Sequence, residues 1–87
     1  MRPGQDIIEE GIRDLAVGSE TIPSLLVSIG AERLRRAGVS IPHATIVSPE
    51  HRLYSTLRDI NPDASHSRYN ALIRRLVSFE RATECGT

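Results

Sequence analysis

Between Ala64 and Glu84 the segment ASHSRYNALIRRLVSFERATE places apolar residues three and four positions apart. Such spacing, kept up for about five turns, belongs to an α-helix and to no strand. Wound at the helical period, Tyr69, Leu72, Ile73, Leu76, Val77 and Phe79 fall on one side. Asn70, Arg74, Ser78 and Arg81 fall on the other. Two of the chain's three aromatic residues lie here. The segment is therefore expected to bury more surface than any other and to organise the fold.

Three more helices are expected around it. Asp6 with Glu9 has the spacing of a capping box, opening a helix from Ile7 to Val17 that ends at Gly18. A second helix lies within Glu20–Ala37, with Ile22, Leu25, Leu26, Ile29 and Leu34 on its apolar side. Pro23 is tolerated there only in a first turn, where its missing N–H has no partner to lose. Gly30 sits amid that apolar side, where glycine weakens a helix by about 1 kcal/mol relative to alanine; the close approach of another helix is the favoured explanation, a ligand contact the alternative. Arg33, Arg35 and Arg36 face the negative end of the helix dipole, and Gly38 closes the element. Val39–Val47, broken by Pro42, reads as a long apolar crossover loop or short edge strand lying over the core. Ser48 as N-cap with Pro49 at the first position starts a third helix to Asp59, burying Leu53, Tyr54 and Leu57. Asn61 and Pro62 are expected to cap and begin the fourth. Residues 1–5 and 85–87 should fray. The expected fold is one all-α domain over 1–87: four helices with one long crossover between the second and third.

The charges are balanced overall, but residues 1–30 hold five acids and two arginines, while 31–87 hold nine arginines and six acids. No global field therefore draws the chain to nucleic acid or to an anionic membrane. All 11 basic residues are arginine, which reads either as coding bias or as a demand for bidentate contacts to carboxylate and phosphate. The single Cys85 forms no internal disulfide, and no signal-like or membrane-length apolar run occurs. Both features point to a reducing, cytoplasmic setting.

Catalytic signatures are missing. His43, His51 and His66 lack the spacing of metal ligands, no serine stands in a nucleophile elbow, and the glycines form no phosphate loop. No cofactor or metal is expected, and an enzyme is the less favoured class. Arg74 and Arg81 share one helical stripe, with Arg68 and Arg75 on a second. With Arg33, Arg35 and Arg36 they outline either a solvated face or a surface for phosphates. A helix-turn-helix does not fit, because using Gly38 as its turn puts Pro42 inside the recognition helix. Two charges break the apolar patterns: Glu80 falls between Leu76 and Ile73, and Arg33 between Ile22 and Leu26. Either each reaches solvent at the edge of its face, or they pair across a helix contact or a dimer interface, with Gly30, Arg33 and Glu80 at the contact. The expected function is a small cytoplasmic interaction or regulatory module that acts through a helix surface, as a homodimer or on a protein partner. The alternative is a nucleic-acid-binding accessory protein using the arginine stripes.

Overall fold

In the computed structural model, residues 3–43 and 46–85 are described. They contain α1 (Gln5–Ala16), α2 (Ile22–Arg36), α3 (Pro49–Ile60) and α4 (Ser65–Glu84), with no strand among them. The all-α, four-helix fold is the one the periodicity predicts. A radius of gyration of 12.4 Å matches the value of about 12 Å for a compact chain of this length.

The core is organised around α2 rather than α4. Leu25, Leu26, Val27, Ala31 and Leu34 of α2 join Ile8 and Leu15 of α1, Leu53 and Leu57 of α3, and Leu76 and Phe79 of α4. Helix α2 packs on all three others and buries Ser24, Leu25, Leu26, Val27, Ser28, Gly30, Ala31 and Leu34. Helix α4 buries only Ser65, Leu76, Phe79 and Glu80, and Tyr69, Leu72, Ile73 and Val77 are half-buried. Although it has 20 residues against 15 in α2, its length and aromatics do not convert into burial. Helices α1 and α2 form a hairpin, with Gly11 against Pro23 and Val27. Helices α3 and α4 form another, with the Tyr54 and Tyr69 rings 5.6 Å apart and tilted.

Helix C-termini follow the sequence closely. Gly18 and Gly38 adopt φ of +77° and +94°, the left-handed turn that glycine enters without a Cβ penalty. Ser19 N–H then donates to Asp14 O and Gly18 N–H to Leu15 O, while Val39 N–H donates to Leu34 O and Gly38 N–H to Arg35 O. Two successive helices thus close in the same hydrogen-bonded motif.

The N-termini depart from expectation. Helix α1 begins at Gln5 after Gly4, with no side-chain cap. Asp6 is engaged by Arg75 at 2.9 Å and Glu9 by Gln5 Nε2 at 2.9 Å, so the predicted capping box does not form. The real box is Thr21 with Ser24, at the start of α2, where Pro23 takes its expected place in the first turn. Ser48 precedes α3 as foreseen, but in left-handed geometry (φ 51°) with no cap bond. Asn61 ends α3 instead of capping α4; its side chain accepts from Asp63 N–H, and α4 starts three residues after Pro62. The arm expected to fray through Gln5 is helical from that residue, and Cys85 closes α4 by donating its N–H to Arg81 O. The fraying expected at residues 1–2 and 86–87 lies outside the described residues.

Within the crossover, Ile41 is buried and Val39 and Ile46 pack on the core. Val47 instead stands 79% exposed, so it is no part of a lid. Arg35 Nη2 donates to Pro42 O at 2.6 Å, and Ile46 N–H to Ser28 Oγ at 3.3 Å. Residues 44–45 lie outside the described residues.

Candidate functional site

Helix α4 runs beside α2 in the same direction, so residue numbers rise together along the contact. A Cβ built on Gly30 would stand 2.8 Å from both Leu76 Cδ1 and Glu80 Oε2. The glycine therefore makes room for the Leu76 side chain and for the carboxylate of Glu80. That side chain is 5% exposed, in keeping with the apolar face on which its spacing puts it.

One turn further along α2, Arg33 reaches back over the same crossing with its side chain 51% exposed. Its Nε lies 2.7 Å from Glu84 Oε1 and its Nη2 lies 3.5 Å from Glu84 Oε2. Glu80 Oε1 is 3.9 Å from the same Nε, too far for a hydrogen bond. Arg33 thus combines the two expectations for it: its side chain is half exposed, and its guanidinium pairs across the helix contact. Burial pushes the Glu80 carboxyl above its ordinary 4.5, Arg33 draws it back, and Glu84 adds to the rise. Glu84 is held below that value, first by the hydrogen bond from Arg33 and also by the charges of Arg33, Arg36 and Arg81. Glu84 is the member of this group that the apolar-face argument overlooks. The available signal was its position four residues after Glu80, on the same side of α4 and within reach of an arginine fork.

The remaining arginines are dispersed rather than gathered. Arg36 pairs with Glu32 at 3.1 Å on its own helix, Arg35 is turned to the crossover carbonyl, and Arg75 holds Asp6. Arg74 Nε donates to Asn70 O at 3.4 Å. Among the described residues, Arg68, Arg74 and Arg81 form no ion pair within 4.0 Å. An open cleft of about 510 Å³ at the C-terminal ends of α2 and α4 is lined by Arg33, Arg36, Ala37 and Glu84. Arg81 also acts there through its charge on Glu84.

His43, His51 and His66 are exposed, and His66 Nε2 lies 3.2 Å from Asn70 Nδ2. Among the described residues no three His, Cys, Asp or Glu side chains stand where they could share a metal ion. No helix of the described residues is long and apolar enough to cross a membrane. Compared with protein-family models, with curated proteins and with solved structures, the chain matches none of them.

Proposed function

We propose that this chain is a small, non-catalytic interaction module of a reducing cytoplasmic space, acting through the α2–α4 face and engaging a second copy of itself. The observation that carries the reading is the incomplete cover of α4. Ile73 and Val77 are half-buried in the row that continues through Glu80 to Glu84, and Ile22 and Ile29 of α2 are half-buried as well. On α2 those two residues share a stripe with Arg33, which ties it to the α4 row. Two adjacent, same-direction helices with residual apolar surface offer a layer that a second such layer would complete. Sedimentation equilibrium over a concentration series tests this. The wild-type chain should move from monomer to dimer, and Val77→Glu, at a half-buried position, should remain folded but monomeric. A wild-type protein that is monomeric throughout would sink the self-association.

A second reading has its own support. From Ala64 to Phe79 the chain carries no acid and three arginines, and among the described residues the exposed Arg68, Arg74 and Arg81 form no ion pair within 4.0 Å. Phosphate binding there would weaken steeply with salt, and Arg74→Ala with Arg81→Ala would weaken it and flatten its salt dependence. Absence of any shift with DNA or RNA at low salt would end this reading. The pairs at Arg33, Arg36 and Arg75 weigh against a larger basic surface.

A further inference from the structure

The Gly30–Glu80 crossing has a property that neither reading of the surface uses. Glu80 is a carboxylate on the apolar side of α4, with Leu76 beside it and the bare backbone of Gly30 beneath it. The charges acting on it are Arg33 from α2 and Glu84 from its own helix; among the described residues α1 and α3 add none. Arg33 is committed more closely to Glu84, at 2.7 Å against 3.9 Å. In the same last turn, Thr83 Oγ1 is buried with no hydrogen-bond partner among the described residues.

We propose that this crossing is a proton-operated latch: with Glu80 neutral the last turn of α4 closes on α2, and with Glu80 ionised that turn loosens.

The physics runs in one direction. An ionised Glu80 puts a poorly compensated charge in a dry contact and repels Glu84 four residues away. Its easiest relief is for the terminal turn to shift and let the carboxylate meet water. A neutral Glu80 removes both penalties and leaves Arg33 to Glu84 alone. Because the folded carboxyl titrates above its unfolded value, its stabilising contribution is complete below about 4.5 and is lost as pH rises through the folded value. Glu84, shifted the other way, keeps its bond to Arg33 until the pH falls below that of an ordinary glutamate. The latch is therefore tightest in mildly acidic solution.

Two measurements on the whole chain test it. Carbon NMR of the Glu80 side-chain carboxyl should give a midpoint above 4.5 in the wild-type protein. Amide exchange of residues 81–84, corrected for its intrinsic pH dependence, should quicken through that same midpoint. Glu80→Gln, a fixed mimic of the neutral acid, should abolish the acceleration, and its melting temperature should exceed that of the wild type by a margin that widens from pH 5 to pH 8. A Glu80 midpoint at or below 4.5, or the same exchange profile in Glu80→Gln, would overturn the latch; the NMR midpoint needs no variant and stands even if the substitution misfolds.

Discussion

Gly11 and Gly30 both sit where a neighbouring helix comes close, yet they should respond differently to one methyl group. A Cβ at Gly11 would stand 2.5 Å from Val27 Cγ2 and still nearer the Pro23 carbonyl oxygen. The carbonyl belongs to the backbone of α2 and cannot swing aside. At Gly30 the nearest atoms are the ends of Leu76 and Glu80, which can. Gly11→Ala is therefore expected to destabilise by about 1–3 kcal/mol through overpacking, despite the gain in helix propensity. Gly30→Ala should lie much closer to neutral, and thermal melts of the two variants measure the contrast; equal losses would mean that the α2–α4 contact is as rigid as the α1–α2 one. Arg33 and Glu80 lend themselves to a double-mutant cycle with Arg33→Met and Glu80→Gln. Because they meet within one chain at 3.9 Å, the coupling should be weak and the same at every protein concentration. Coupling that grows with concentration would place the pair between subunits.

At the scale of elements, Ser48 separates two ways of starting α3. An extended N-cap serine would lose a few tenths of a kcal/mol on change to glycine. Left-handed Ser48, with φ 51° and no cap bond, pays a steric penalty that glycine avoids. Ser48→Gly should accordingly stabilise the protein, by about 0.5–1 kcal/mol in a denaturant melt, and a loss would restore the extended cap. The ranking of α2 and α4 can be tested as directly. Leu26 is fully buried, so Leu26→Ala should cost about 2–5 kcal/mol. Leu72, half-buried on α4, should cost clearly less on the same change. The reverse order would return the organising role to α4.

For the whole molecule, helices cover about two-thirds of the chain, and far-UV circular dichroism should report that fraction. A spectrum with substantial strand would contradict the fold. The core is aliphatic and small, since only Phe79 among the aromatics is buried. The most exposed large apolar residues, Val17, Val47 and Ile60, belong to three different segments. The proposed self-association rests instead on Ile22 and Ile29 of α2 and Ile73 and Val77 of α4, which are half-buried.

What the sequence determined by itself was local. Helical period, the closing glycines at 18 and 38, and Pro23 in a first turn each depend on residues within a few positions of one another, so their outcome could be read along the chain. The same holds for the anomaly of Glu80, because its place on an apolar face follows from spacing alone. Tertiary structure decided whatever depended on competition between distant groups. Asp6 had the role of N-cap, but the helix begins one residue before it and its carboxylate pairs with Arg75. Asn61 had α4 to cap and served its own turn. Arg33 had Glu80 within reach and bonded Glu84 more closely. Helix α4 carried the strongest pattern, but α2 became the centre because it touches three helices, and burial depends on how many neighbours surround an element.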